Sequence, residues 1–184
     1  IPESVEAIEN YAFYYAESLQ KINFPESFKT IFSASAFEGT NIKEITGKHV
    51  LGDNRSLVID GTLVMLVGDG LEKYVTPEGV EYLGYMVLGF NDDIKEYVIS
   101  DDVIEVGGYG YAFNQCPNLE TVTISARMTY LGYDPFSPDI YCTPSLKTVY
   151  CRAVIPPVVS HNSGVYQFDG LTIYVPDKSY DLYM

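Results

Sequence analysis

Tryptophan is absent from this chain, and histidine and cysteine are scarce, at two and three residues in 184. So short a supply of bases, nucleophiles and soft metal ligands leaves few ways to assemble a reactive centre. Basic residues are also few: 11 Lys and Arg stand against 25 Asp and Glu, for a net charge of −14. Nucleic acids and anionic membranes are held by basic patches that displace counterions, so neither is expected as a partner. A self-repelling, monomeric chain is expected.

Long apolar runs are missing as well. The longest aliphatic run, Leu63-Val64-Met65-Leu66-Val67, falls far short of the roughly 18 residues of a membrane-spanning helix. No span is expected in this stretch. There is no initiator Met and no basic leader followed by an apolar segment, and residue 1 already lies inside a repeated pattern. The expectation is a fragment or a processed chain with further repeats upstream, whose Ile1, Val5 and Ile8 would form an open end. Cys116, Cys142 and Cys151 make neither an even disulfide framework nor a CxxC pair. Free cysteines that pack as small hydrophobes are the plainer reading; whether Cys142 and Cys151 pair stays open.

What the sequence has in plenty is repetition. Aligning residues 1–24 with 24–46 puts Pro2 over Pro25, Val5 over Phe28, Ile8 over Ile31, Phe13 over Phe37, Leu19 over Ile42 and Ile22 over Ile45. The same slots return at an offset of 75 as Val80, Leu83, Leu88, Ile94, Tyr97 and Ile99. They return again as Val103, Val106, Phe113, Leu119, Val122 and Ile124, after two residues are inserted near Gly107-Gly108. A looser copy carries Met128, Leu131, Phe136, Leu146, Val149 and Cys151. Two further segments, LEKYVTP and LTIYVP, share the apolar-x-apolar ending, which makes seven candidate rungs.

Self-similarity at 20 to 29 residues with an LxxIxI core is the mark of a leucine-rich-repeat-like solenoid. In LQKINF or LETVTI the alternation puts Ile22 and Phe24, or Val122 and Ile124, on one face of a short strand. The expected fold is therefore an α/β repeat solenoid, a right-handed superhelix of coils spaced by 23 or 24 residues. Each coil would supply one parallel strand and a short helical turn that plugs Phe13, Phe37 or Phe113 into the core. A lone coil cannot bury its own apolar face, so the text repeats because neighbours must seal one another.

The pattern breaks once, at SLVIDGTLVMLV, where Asp60-Gly61 sits between two apolar runs. Asp-Gly favours a type I′ turn, whose central residues both need positive φ. The spacing predicts a β-hairpin over 56–67 that covers the solenoid flank. The whole reads as one domain over 1–184: two regular repeats in 1–46, a hairpin-containing insertion in 47–77, three repeats in 78–151, and a closing segment in 152–184.

Reactive constellations are hard to find. His49 lies beside the hairpin and His161 in the polar stretch SHNSG, neither in a pattern with a nucleophile and an orienting acid. Asp92-Asp93 and Asp101-Asp102, with Asp134 and Asp139 in a looser loop, fall where the repeat turns. Asp serves turns by bonding the backbone, and that role outweighs Ca²⁺ binding or acid-base work here. GDG at 68–70 lacks the remaining glycines of a phosphate loop; Gly68 and Gly70 read as turn residues at unusual φ. Seventeen tyrosines invite a recognition role, but Tyr11, Tyr85 and Tyr111 lie at or near the slot before the core Phe, so the repeat itself accounts for many.

The run IPxSVxxIxxYAFxxxxxLxxIxF, as it stands over residues 1–24, resembles the BspA-like leucine-rich repeats. Their usual form has Cys three residues after the Phe; Phe113 and Cys116 match it, while Ala16, Thr40 and Asn91 do not. The resemblance covers essentially the whole chain and implies a secreted or surface-anchored protein that adheres to host or microbial proteins or glycans. It carries no catalytic residue and no cofactor. A non-enzymatic binding module is the leading reading, and a structural spacer presenting another domain is the rival. In leucine-rich folds the outward strand face is commonly the binding surface, and by register that face holds Asn23, Thr46, Val75, Val98, Thr123, Tyr150 and Tyr174. These seven are expected to form one ladder.

Overall fold

The computed structural model describes residues 1–89, 91–106, 113, 115–133, 143–160 and 170–184. Gly107, Gly108, Tyr111, Asp134, Phe136, Asp139, Cys142 and His161, singled out above, lie outside them. The chain alternates between two stacks of short strands. The first coils give β1 (Ala7–Ile8), β2 (Lys21–Phe24), β3 (Thr30–Ile31) and β4 (Glu44–Gly47). A hairpin follows, β5 (Ser56–Ile59) and β6 (Thr62–Leu66), and then β7 (Lys73–Val75), β8 (Tyr82–Leu83), β9 (Glu96–Val98) and β10 (Glu105–Val106). The series ends with β11 (Thr121–Ile124), β12 (Tyr130–Tyr133), β13 (Thr148–Cys151), β14 (Val158–Ser160) and β15 (Thr172–Tyr174).

The rung strands pair in parallel as β2-β4 and as β15-β13-β11-β9-β7. A second ladder, β1-β3 and β14-β12-β10-β8-β6-β5, runs along another side. Each coil thus carries two parallel strands where one was expected. The second is often only two residues long, as in Ala7–Ile8 and Tyr82–Leu83, too short to imprint an alternation on the sequence. Helix is sparse: a 3₁₀ turn at Ala34–Phe37 delivers Phe37 to the core, and Asp177–Ser179 with Tyr180–Tyr183 closes the chain.

Alternation sets the core. Ile22, Phe24, Ile45, Tyr97, Val122, Ile124 and Val149 point inward from the rungs and are buried. Ile8, expected at an open end, is also buried, because it faces inward in register with Ile31. The slot three residues after the core Phe keeps one job through changes of residue. Thr40 Oγ1 donates to Phe37 O at 2.7 Å, Asn91 Nδ2 to Leu88 O at 2.7 Å, and Cys116 Sγ to Leu88 O at 3.0 Å. Thr40 and Asn91 reach a carbonyl of their own coil and Cys116 one of the coil before, each adding a side-chain donor to a carbonyl that has another. Cys116 and Cys151 are both buried.

The hairpin forms as its Asp-Gly pair requires, with φ of 47° at Asp60 and 75° at Gly61. Its position is a correction: it is spliced into the second ladder, where β6 pairs in parallel with β8. Leu57, Ile59, Met65 and Val67 pack with Phe24, Phe28 and Ile45, while Leu63 and Leu66 join Leu83 and Leu88. A sheet buried on both faces reads as near-continuous apolar text, which is why SLVIDGTLVMLV lacks polar alternation.

Two glycines answer to contacts. A Cβ on Gly47 (φ 98°) would stand 2.0 Å from the Phe24 carbonyl of the rung below. A Cβ on Gly68 would stand 2.0 Å from Asn91 Oδ1, and Gly68 has no positive φ; of the GDG pair only Gly70, at 73°, does. The acidic pairs staple coils: Asp93 accepts from Gly70 N at 2.8 Å, Asp102 from Gly79 N at 3.0 Å, and Asp101 from Ala126 N at 2.7 Å.

Tyr74 and Tyr97 stack in the core with centroids 5.6 Å apart, and Tyr97 Oη pairs with Thr76 Oγ1 at 2.8 Å. Burial holds both phenols well above the ordinary tyrosine range, with Asp53 adding to the rise at Tyr74 and Tyr74 adding to it at Tyr97. An unfolded tyrosine releases its proton near pH 10, and the folded ones keep theirs, so their contribution is intact below about pH 10 and lost as pH rises beyond it. Urea melts at pH 8 and about pH 11 should show this fall in stability, and Tyr97→Phe should make it smaller; equal slopes in both proteins would refute the assignment. Gly47→Ala should cost roughly 2–4 kcal/mol in the same assay, from the clash and the left-handed φ together.

Candidate binding face

Register places the seven outward residues in sequence along the rungs, but in two groups. Asn23 opposes Thr46 on β2 and β4. Val75, Val98, Thr123, Tyr150 and Tyr174 follow one another across β7, β9, β11, β13 and β15. The single ladder expected is therefore two, because β4 and β7 are not paired and the hairpin intervenes. Within the first group Thr46 Oγ1 donates to Asn23 Oδ1 at 3.0 Å.

The second group changes character along its length. Val75 is 50% exposed, and at the other end Tyr150 and Tyr174 are 44% and 54% exposed. Their rings stack, 5.0 Å between centroids and 15° between planes, on strands in parallel register. The carrier strand β15 is exposed throughout, and its Ile173, in register with buried Val149, is 52% exposed.

A second outward column lies two residues earlier and went unnoticed in the sequence. It begins with charged pairs, Lys21–Glu44 at 2.6 Å and Lys73–Glu96 at 2.7 Å. It continues as Thr121, Thr148 and Thr172, in register with Glu96 and each other. The signal was present as Thr121-Val122-Thr123, Thr148-Val149-Tyr150 and Thr172-Ile173-Tyr174. Beside these columns runs a line of alternating charge, Glu72–Lys95 at 2.8 Å and Glu120–Lys147 at 3.4 Å. The last three rungs therefore present hydroxyls and phenol rings with no charge between them. Such a face donates and accepts hydrogen bonds and offers flat apolar area, which suits a neutral polar partner.

Among the described residues reactive side chains do not converge elsewhere. His49 Nε2 lies 3.2 Å from Phe28 O. Among the described residues no group of three or more His, Cys, Asp or Glu is placed to hold a metal ion, and no helix is long and apolar enough to cross a membrane. Tyr11, expected to serve the repeat, is 59% exposed.

Two stacks of parallel strands on a 23-residue spacing define a leucine-rich-repeat-type solenoid. The sequence profile of the BspA type leucine rich repeat region matches in six copies, over residues 1–53 and 68–152. The chain belongs to that family. No curated protein matches it. Among solved structures, a leucine-rich repeat protein from Eubacterium ventriosum is 20% identical with a TM-score of 0.62, over 85% of this chain and 43% of that one. A leucine rich cell surface protein from Faecalibacterium prausnitzii is 16% identical with a TM-score of 0.59, over 93% of this chain and 55% of that one. The chain thus spans about half the length of these proteins, and the likeness is one of fold.

Exposed ion pairs contribute little, since water screens them and long side chains must be ordered. Lys73→Ala, which removes a pair with side chains 53% and 40% exposed, should change the unfolding free energy by under about 1 kcal/mol. Urea titration checks this; a larger loss would make the charged column part of the scaffold.

Proposed function

We propose that this chain is a non-enzymatic binding module of a secreted or surface-held protein, adhering to a protein or glycan surface through the outward face of its rungs. The observation that carries the reading is the exposed Tyr150–Tyr174 stack, set beside the Thr121, Thr148 and Thr172 column. An uncharged aromatic and hydroxyl surface is out of place on a chain of net charge −14 unless contact is its use. Membership of the BspA type, and the cell-surface description of the Faecalibacterium neighbour, support a location outside the cell.

The purified chain should bind saturably to members of a glycan and matrix-protein array. Tyr150→Ala with Tyr174→Ala should weaken that binding about tenfold or more, some 1.4 kcal/mol, while the melting temperature holds. Undiminished binding would place the contact elsewhere. Absence of saturable binding would favour a spacer that presents another domain.

A further inference from the structure

Tyr14 and Tyr15 of the first coil are not required by the repeat that surrounds them, and they stand beside Tyr11, whose slot a later coil also fills with tyrosine, Tyr111. Tyr11, Tyr14 and Tyr15 lie in the turn between β1 and β2, at 59%, 50% and 58% exposure. Tyr14 stands between the other two, 5.4 Å from Tyr11 at 84° and 4.6 Å from Tyr15 at 73° between ring planes. The same slots hold Ser35, Glu38 and Gly39 in the second coil, Met86, Gly89 and Phe90 in a later one, and Tyr111, Asn114 and Gln115 in the next. Among these coils only the first carries a ring in all three slots.

Backbone geometry sharpens the contrast. The slot of Tyr15 is left-handed in three coils, with φ of 53° at Tyr15, 72° at Gly39 and 57° at Gln115. Tyr11 and Met86 share a second such slot, at 60° and 54°. Glycine fills a left-handed position without strain, whereas a bulky residue there is uncommon. The second coil places Gly39 in the first of these slots and Ser35, without a positive φ, in the other, whereas the first coil spends a tyrosine on each.

The rings are also held in place. Phe13 N donates to Ala36 O and Tyr15 N to Glu38 O, both at 2.8 Å, which fixes the turn on the coil beneath. The Tyr15 ring covers Gly39, where an added Cβ would come within 3.0 Å of it. Phe13 stacks on Phe37 below, at 5.3 Å and 10°. The cluster is a preorganised platform on a buried support.

Its surroundings are acidic. Residues 1–20 include Glu3, Glu6, Glu9 and Glu17 and no Lys or Arg. Of these Glu6 is paired with Lys29, and Lys21 is paired with Glu44, both at 2.6 Å, so the acidic setting rests on Glu3, Glu9, Glu17 and Glu38. Glu38 lies close enough to Tyr14 to help raise its phenol pKa, second to the loss of hydration among its neighbours. Aromatic faces carry the negative end of a quadrupole and attract cations, and nearby carboxylates add to that field.

We propose that Tyr11, Tyr14, Tyr15 and Glu38 form a second binding site, one that takes the Lys or Arg side chains of a basic polypeptide. It is separate from the rung face and does not depend on the function proposed for that face. A neutral glycan would gain from the rings but nothing from the carboxylates, so the acidic setting selects the cation.

The test is titration of the whole chain with acetylated hexa-arginine and hexa-lysine peptides at low and high salt, followed by calorimetry and tyrosine fluorescence. The rival cause is diffuse attraction to a chain of net charge −14. Tyr14→Ala should weaken peptide binding about tenfold and Tyr14→Phe by less than about twofold. Glu38→Gln should weaken it roughly threefold, and Glu81→Gln, an exposed charge far along the chain, hardly at all. Tyr11→Asn, which tolerates the left-handed φ, is the second probe should Tyr14→Ala not fold, and it should also weaken binding. The proposal is overturned if both tyrosine variants bind normally, if Glu38→Gln and Glu81→Gln are equivalent, or if a neutral oligosaccharide occupies these rings while the peptides do not.

Discussion

The backbone hydrogen bonds between neighbouring coils are the constraint on which the rest of this molecule depends. Lys43 N reaches Gln20 O at 2.9 Å, Lys95 N reaches Glu72 O at 2.8 Å, Glu120 N reaches Lys95 O at 2.8 Å, and Thr172 N reaches Lys147 O at 2.8 Å. Among the described residues no strand is longer than five residues, so none is stable by itself, and the strands' polar backbone is satisfied by the coils beside them. Side-chain register follows from this. Once Ile22 pairs with Ile45, or Val122 with Val149, every inward slot lands on another and the core becomes a column. The outward slots are stacked by the same pairing, which turns single residues such as Tyr150 and Tyr174 into a surface.

The hairpin is where that constraint is relaxed, and the molecule compensates through packing. Between β4 and β7 the rung ladder stops, and β1-β3 likewise does not reach β5. Continuity passes instead to side chains, with Met65 and Leu57 facing the first two coils and Leu63 and Leu66 facing the rest. Polar ties reinforce the joint. Arg55 donates to the carbonyls of Val67 and Asp69, and Ser56 Oγ and Tyr74 Oη meet at 2.6 Å in the interior. The outer face is consequently interrupted at the joint, with Asn23 and Thr46 on one side of it and the remaining five residues on the other.

Much of the scaffold was legible because it is periodic. Phe37, Phe113, Leu119 and Ile124 announce the core by recurrence, and Asp60-Gly61 announces its turn by the positive φ angles that such a pair favours. The second ladder was not legible, since a strand such as Glu105–Val106 has no room for alternation. The roles of Gly47 and Gly68 were equally hidden, because Phe24 O and Asn91 Oδ1 approach them from other coils. At the candidate face, register arithmetic found Tyr150 and Tyr174 but passed over Thr121, Thr148 and Thr172, which are unremarkable until three strands align them. Tyr11 was read as a position of the repeat, and only the structure sets Tyr14 and Tyr15 beside it as one exposed cluster.

By itself, then, the sequence determined that coils would stack, which side chains would face inward, and where the pattern would break. Those are consequences of local alternation and recurrence, which a linear text can express. Only the tertiary structure decided that the break would divide the outer ladder and that tyrosines from separate coils would stack. It also decided that carboxylates such as Asp101 and Asp102 would bond the backbone of coils 23 to 25 residues away. The physical reason is distance: these contacts join atoms that lie one or more turns apart along the chain and become neighbours only when the superhelix closes over them.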